Sequence, residues 1–345
     1  MSKNVKIAIT QMNVAPDAVD QRLNRAEELV RNAAKQGAEL VVLPELFNTG
    51  YAYEENNFIA ARKHNHRTER WMQEISAQFN VHLAGSFLHY DQQIIFNSLH
   101  FMSPDGKTWR YDKNFPWGWE RTYFEAGNDI QIADTDLGRI GFMLCWDVAH
   151  PNLWQKYAGK VDLILASTCP PNIPDAVYHL PDGNHYQAGE LGPLFAKMQH
   201  SAKNIFIDTP AQQCAWLGVP YISSTGSGKV STPIPNPMSF LIGAIFSKPG
   251  LVYHLSQADN CSIDAEMVEA GLIYSANGQL LNQLRNTNQD EFCIADVEIK
   301  ANTESPTSNQ PKPSISEQVY FISDWYLPVV NKGTYRRELR NMNKM

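Results

Sequence analysis

Along the first 45 positions the apolar residues change period twice. Residues 5–12 (VKIAITQM) form a β-branched run of strand length. Residues 17–36 instead set Leu23, Ala26, Val30, Ala33 and Ala34 at helical spacing, with Arg, Glu and Lys on the other face. Gly37 stands where a helix-ending glycine belongs. Residues 40–43 (LVVL) are continuously apolar, the mark of a strand covered on both faces. The pattern predicts a strand–helix–strand unit closed by Pro44. Glu45 then falls just past the C-terminal end of a buried strand, where α/β folds place their chemistry.

The same reading continues with a helix over 67–79 and strands over 81–87, 94–102, 108–111, 130–133 and 139–144. Ser-Pro-Asp-Gly-Lys joins 94–102 to 108–111 as a hairpin, and the strand at 139–144 ends directly on Cys145. A short helix over 152–158 follows His150-Pro151, since proline is tolerated in a helix's first turn. Next come a strand at 161–166, a helix at 191–202 and a strand at 204–208. Beyond residue 209 the periodicity weakens. Strands are expected at 239–246, 251–254 and 292–297, and 261–285 reads as helical in part. Residues 301–317 (ANTESPTSNQPKPSISE) are polar and proline-rich, a loop or linker. The tail over 332–345 carries five basic residues against one Glu, and is expected as a solvated end or an arm that docks on a second subunit. No repeat of 20–50 residues is visible and nothing marks a domain boundary, so one large layered domain is expected.

Composition narrows the class. A length of 345 residues suggests roughly two domains at about 150 residues each, although large α/β folds are often single. Charged residues are 19% and hydrophobic ones 43%, which excludes wholesale disorder and supplies a core. The net charge, 29 − 36 = −7, has the wrong sign for a general nucleic-acid partner. The N-terminus lacks the long apolar stretch of a secretory signal. The most apolar late window, 238–246, is nine residues where a bilayer needs about 20, so no membrane partner is expected. Cysteines at 145, 169, 214, 261 and 293 are odd in number and include no C-x-x-C, which suits free thiols, a reducing compartment and a cytoplasmic location.

Three motifs share one placement, each following a predicted strand: Pro44-Glu45-Leu46-Phe47, Tyr111-Asp112-Lys113-Asn114-Phe115-Pro116 and Leu144-Cys145-Trp146-Asp147. Singly, each has a bland reading: a capping carboxylate, a solvated lysine, a small buried hydrophobe. Together they have a chemical purpose. A thiol with a pKa of about 8.5 is only a few per cent thiolate at pH 7, and becomes a strong nucleophile if a carboxylate takes its proton or a cation stabilises the thiolate. Attack on a carbonyl or nitrile carbon builds negative charge that a lysine ammonium and a backbone N–H can meet. A strand–turn–helix around Cys145 would expose the sulfur at a sharp turn, as nucleophile elbows do. Glu, Lys and Cys need neither histidine nor metal.

The order Glu45, Lys113, Cys145, in the strings PELFNTGY, YDKNFPW and LCWDVAHPNLW, resembles the nitrilase (carbon–nitrogen hydrolase) superfamily. The resemblance runs from KIAITQM near the start to CIADVEI, about residues 4–300, and leaves 301–345 as a C-terminal extension. It implies an α-β-β-α sandwich and subunits paired into a homodimer or larger homo-oligomer. It also implies hydrolysis or condensation at C–N bonds of small amides, ureas, carbamoyl compounds or nitriles through a thioester or thioimidate, with no cofactor. Carried over residue by residue, Cys145 is the nucleophile, Glu45 the general base, and Lys113 with the backbone N–H of Trp146 the holder of the tetrahedral intermediate. Glu120, in WGWE and followed by FEAG, matches a second glutamate that orients the lysine and substrate. The departures bear on substrate. Many amidase-like members read C-Y-D-x-R-F-P-E, where this chain has Ala149 for the arginine and Asn152 for the glutamate. Cys-Trp-acid is closer to the nitrilase branch, which usually has Glu rather than Asp147. Ser201-Ala202-Lys203-Asn204 replaces a common Arg-Ala-x-Glu-Asn.

For substrate contacts the sequence offers Trp117 and Tyr178, with Trp119 and Trp146, and a loop over 170–192. His179, Asp182 and His185 fit no common zinc spacing, so no metal is expected. Gly226-Ser227-Gly228-Lys229 fails as a phosphate loop because Ser223 and Val230 occupy its required positions, and reads as a flexible surface loop. A papain-like pairing of Cys145 with His150 or His200 would leave the Glu and Lys motifs unexplained. Cys169, Cys214, Cys261 and Cys293 are assigned to packing. A catalytically silent binding or assembly subunit is the alternative from another class.

Overall fold

The computed structural model describes residues 2–192 and 201–344. β1 (Ser2–Asn13), β2 (Leu40–Val42), β3 (His82–Asp91), β4 (Ile94–Met102) and β5 (Thr108–Asp112) lie in the spatial order β5-β4-β3-β2-β1. β1, β2 and β3 run parallel, with Ile7 opposite Leu40 and Leu40 opposite His82; β3, β4 and β5 form an antiparallel meander. The second half holds β6 (Ile132–Thr135), β7 (Gly138–Leu144) and β8 (Leu163–Ser167). β9 (Val177–His179) and β10 (His185–Gln187) belong to a separate small sheet, and β11 (Tyr221–Ser227) returns to pair parallel with β8. β12 (Lys229–Pro233) and β13 (Ser262–Glu266) complete the small sheet, while β14 (Leu272–Tyr274) and β15 (Leu280–Gln283) extend the second half beyond β11. β16 (Glu291–Lys300) runs antiparallel along β1, from Ser2 opposite Lys300 to Gln11 opposite Glu291. The two halves join where Gln11–Asn13 pair with Thr225–Ser227.

Period-two alternation sends one face of each half inward. Ile7, Ile9, Val42, Leu99 and Phe101 meet Ile140, Phe142, Leu163, Leu165 and Ile222 in a single apolar layer. Outside the first half, α1 (Val19–Lys35) and α2 (Asn56–Phe79) bury Ala26, Val30, Met72 and Ile75 against Val41, Leu83 and Phe87. Outside the second, α3 (Pro151–Tyr157) and α4 (residues 201–217) bury Trp154, Tyr157, Cys214 and Leu217 in the cluster that holds Met143, Ile164 and Tyr221. The result is a four-layer α-β-β-α sandwich, as the resemblance implied.

Late in the chain the structure corrects the sequence reading. Residues 204–208, expected as a strand, are a π turn inside α4. Pro210 has no N–H to give the preceding turn, and the widened turn, with Thr209 Oγ1 donating to Asn204 O at 2.7 Å, accommodates it. Residues 239–246, also expected as a strand, are the body and C-cap of α5 (Pro237–Ile245), which Asn236 at φ +50° and Pro237 start. That run is apolar nearly all round because one face is buried while Met238 and Ile242 are exposed, so no period was visible. Residues 251–254 are 3₁₀ helix within Pro249–Asn260, and 261–285 is strand and turn rather than partly helical. Gly226-Ser227-Gly228-Lys229 is no flexible surface loop: it ends β11, turns at Gly228 (φ +87°) and opens β12, with the first three residues buried. Most of the helix expected at 191–202 lies outside the described residues.

The polar segment has no regular structure through residue 316. From Glu317 the chain becomes α6 (residues 317–344), with a π turn at Phe321–Tyr326. Val319, Ile322, Ser323, Asn331 and Tyr335 are buried, so this helix lies back on the sandwich. Among the described residues no helix is long and apolar enough to cross a membrane.

Candidate active site

Three strand ends converge. Glu45 follows β2 across Pro44, and its N–H donates to Thr168 O at 3.3 Å. Lys113 follows β5 directly; its N–H donates to Asn97 O at 2.9 Å and its carbonyl accepts from Gly127 N at 2.8 Å. A Cβ at Gly127 would stand 2.3 Å from Asp112 O, so only glycine allows that approach. Cys145 follows β7 and opens a 3₁₀ turn, Cys145–Ala149, at φ +45°. A non-glycine residue there stores strain of order 1–3 kcal/mol that its surroundings must hold. Asp147 holds it: Oδ2 accepts from Leu144 N (2.9 Å) and Tyr111 OH (2.7 Å), and Oδ1 accepts from Phe115 N (2.8 Å). The Lys113 loop and the Cys145 turn are thus tied through one buried carboxylate.

The side chains meet out of solvent. Lys113, fully buried, donates from Nζ to Glu45 Oε1 at 2.8 Å and to Glu120 Oε2 at 2.7 Å. Glu45 Oε1 also accepts from Asn97 Nδ2 at 2.7 Å, whereas Glu45 Oε2 is buried with no hydrogen-bond partner. Glu120 accepts further from Trp117 N (2.7 Å) and Tyr51 OH (3.2 Å), and Tyr51 OH lies 2.9 Å from Tyr53 OH. Burial opposes the Lys113 charge, but Glu120, Glu45 and Cys145 outweigh it and hold the ammonium well above its ordinary pKa. Burial, then the charge of Glu45, push the Cys145 thiol well up, against the pull of Lys113. Burial likewise raises Glu120, opposed by Lys113. The resting site therefore holds a neutral thiol beside an ammonium shared by two carboxyl groups.

A cavity of about 50 Å³ opens on this cluster, lined by Cys145, Glu120, Tyr51, Trp117 and Trp146. Pro170, Pro171, Ile173 and Pro174 form another wall, within the loop expected to face substrate. Ile205 and Phe206 from the π turn of α4 and Val319 from α6 complete it. Tyr178 does not line this cavity. It is buried in an adjoining one, its ring stacked on Phe240 at 5.5 Å.

The rival groups lie elsewhere. His150 spends both ring nitrogens, Nδ1 at 3.0 Å from Trp146 O and Nε2 at 3.0 Å from Asp324 Oδ2; His200 is outside the described residues. His179 and His185 touch through their Nδ1 atoms at 2.7 Å, and among the described residues no group of three or more potential ligands is placed to hold a metal. All five cysteines are free.

Sequence reading missed three contributors. Asn97 was findable, as a lone amide in the apolar run IIFNSLHF. Tyr51 sits in a quoted motif but carries no local sign of its role. Asp324 had no signal at all, yet its Oδ1 accepts from Trp146 Nε1 at 2.8 Å across 178 positions.

A model of the carbon–nitrogen hydrolase family matches residues 6–202. The chain is 34% identical over 167 residues to a nitrilase of Pyrococcus abyssi, covering 47% of this chain and 63% of that one. It is 29% identical over 166 residues to an omega-amidase of Mus musculus, covering 45% and 59%. The matched stretches thus span less than two thirds of these relatives' length. Among solved structures, an amidase from Nesterenkonia sp. aligns with a TM-score of 0.62 at 14% identity over 87% of this chain and 91% of that one. A CN-hydrolase superfamily protein from Xanthomonas campestris, bearing an arsenic adduct in its active site, aligns at 0.60 and 15% over 85% and 90%. At such identities the likeness is one of fold.

Proposed function

The chain belongs to the carbon–nitrogen hydrolase family, and on that premise we propose that it hydrolyses a non-peptide C–N bond in a small linear amide or carbamoyl compound through a thioester on Cys145. The observation that carries this reading is the free oxygen of Glu45. A buried carboxylate oxygen with no donor, next to a neutral thiol on a strained turn, is a vacancy for the thiol proton. Glu45 takes that proton as the sulfur attacks the carbonyl carbon. An ammonium carries three donors; two of Lys113's go to carboxylates, and the third meets the oxyanion together with the N–H of Trp146. Glu45 then returns the proton to the leaving nitrogen and ammonia or amine departs; a water deprotonated by Glu45 attacks the thioester, the C–S bond breaks to release the acid, and Glu45 gives the proton back to the leaving thiolate. Glu120 keeps Lys113 in place, and Trp117 borders the acyl group.

A nitrile is the second reading, favoured by the P. abyssi relative's name and by the Cys145-Trp146-acid string. We further propose a cytoplasmic homodimer or larger homo-oligomer that covers the exposed Phe321, Trp325 and Val329 on α6. The decisive experiment follows ammonia release and product mass over a panel of amides, carbamoyl amines and nitriles, with light scattering on the same samples. Release from one class, abolished in a folded Cys145→Ala variant, is expected. Full activity in that variant would sink the mechanism. Stoichiometric ligand binding with no release from any class would favour a silent binding subunit, and a monomeric mass would refute the assembly.

A further inference from the structure

Next to the thiol's cavity of about 50 Å³ lies a second of about 360 Å³. Trp117 and Ile173 line both, so the two are neighbours across those side chains. The walls of the larger one are aromatic. Trp119 meets Trp117 edge-on at 5.5 Å and Phe240 at 6.4 Å, and Phe240 stacks on Tyr178. α5 contributes Gly243, where an added Cβ would find nothing within 4 Å.

Asn236, Ser239 and Ser247 also line it, and among the described lining residues one buried side-chain polar atom lacks a partner. Asn331 of α6 is fully buried and borders the cavity. Its Nδ2 donates to Gly118 O at 3.2 Å, but its Oδ1 has no partner. Buried carbonyl oxygens without a donor are rare in folded proteins and call for an explanation. Space is the other argument. The cavity at the thiol has room for a reacting carbon and its immediate substituents only, so any larger part of a substrate must lie elsewhere. An apolar cavity of about 150 Å³ takes up benzene, and this one is more than twice that size.

We propose that this cavity receives the non-reacting end of the substrate: an apolar group of one or two rings carrying a single N–H or O–H donor, which Asn331 Oδ1 accepts. The proposal rests on the hydrolase reading above and adds the substrate's class to it, an aryl-bearing linear amide or nitrile. Trp117 and Ile173, which line both cavities, stand between the reacting and recognised ends, and Gly243 leaves the depth that the rings occupy.

The test compares kcat/KM for 6-hydroxy-2-naphthylacetamide, its 6-methyl isostere and butyramide, alongside calorimetric binding of 2-naphthol. The wild type is expected to favour the hydroxy amide over the methyl one at least tenfold. Gly243→Leu, which fills the cavity from a helix that tolerates leucine, is expected to lower the naphthyl-to-butyramide ratio at least tenfold and to weaken 2-naphthol binding as much. Asn331→Leu should erase the hydroxy-over-methyl preference. Unchanged ratios in both variants, with butyramide still turned over, overturn the cavity assignment and leave the hydrolase reading standing. No turnover of any amide or nitrile, with 2-naphthol binding that Gly243→Leu weakens, overturns the hydrolase reading and supports the cavity as a ligand site. Binding of 2-naphthol at equal strength in all three proteins refutes the assignment directly.

Discussion

On the proposed mechanism, Cys145 is a nucleophile that must be made, not one kept ready. Burial and the charge of Glu45 both disfavour its thiolate, so the glutamate proposed as base also holds the resting thiol neutral. The two roles separate in one variant. Glu45→Gln removes the base, and turnover should fall by about 10²–10⁴-fold. It also removes a charge that raises the thiol's pKa, so the pH midpoint for alkylation of Cys145 by iodoacetamide should move down. A midpoint that stays put or rises would mean that Glu45 does not face the sulfur. Of the site, the residues that end strands were legible, because β2, β5 and β7 are local patterns, with Lys113 and Cys145 directly after their strands and Glu45 just past Leu43 and Pro44. Tyr51 and Asn97 act only through distant partners, and Tyr178, an aromatic in the right loop, turned out to face the neighbouring cavity. Spacing along a chain says nothing about which side of a wall a ring will take.

At the scale of elements, the Cys145–Ala149 turn is clamped from two directions. Asp147 ties it to the Lys113 loop from within, and Asp324 of α6 ties it from outside by accepting from Trp146 Nε1 and meeting His150 Nε2. His150 also reaches the Trp146 carbonyl, and its ring stacks on Phe115 at 3.6 Å. The residue whose N–H is assigned to the oxyanion is thus held by a helix outside the stretch matched by the family model. Hydrogen bonds to a charged group are worth about 1.5–3 kcal/mol, so Asp324→Ala should lower kcat roughly tenfold or more while moving KM little. Asp324→Asn, which keeps an acceptor for the indole, should recover part of that loss. Equal losses in kcat for both variants, or a change confined to KM, would count against a positioning role. The elements themselves were legible where period or turn chemistry was strong, through β8 and again at 292–297, which lies in β16, and most of those between failed for identifiable reasons. The π turn of α4 contains a β-branched pair, with Pro210 just beyond it, a combination that composition reads as extended. α5 is apolar on its exposed face as well, which erases the helical period. The 3₁₀ stretch at Pro249–Asn260 is broken by non-helical backbone at Gln257, and the short strands β13 to β15 carry too few residues each to show a period.

Taken whole, the molecule buries histidines inside its sandwich as uncharged groups. Burial lowers the pKa values of His82, His89 and His100 from the ordinary 6.5, that of His89 to about 4, and His100 stacks on Phe87 at 4.4 Å. As pH falls through about 6.5 an unfolded chain takes up protons at these positions while the folded one takes none until the pH is lower. The unfolded state binds more protons over that window, so stability is lost from pH 6.5 down toward 4. The melting temperature should drop over this range, and His100→Phe should make the drop shallower; an unchanged slope would refute the assignment. The same whole-molecule view gives α6 a role in time. Asp324 and Val319 are synthesised long after Cys145, and β7 with its turn can form while they are still unmade. A nascent chain therefore carries a thiol whose pocket lacks one wall and whose Trp146 lacks its outer anchor, so the Cys145 turn, held by Asp147 from within, gains its outer clamp only when α6 docks. Competence for chemistry should then arrive late and all at once, as a burst of activity lagging behind the burial of the sheets.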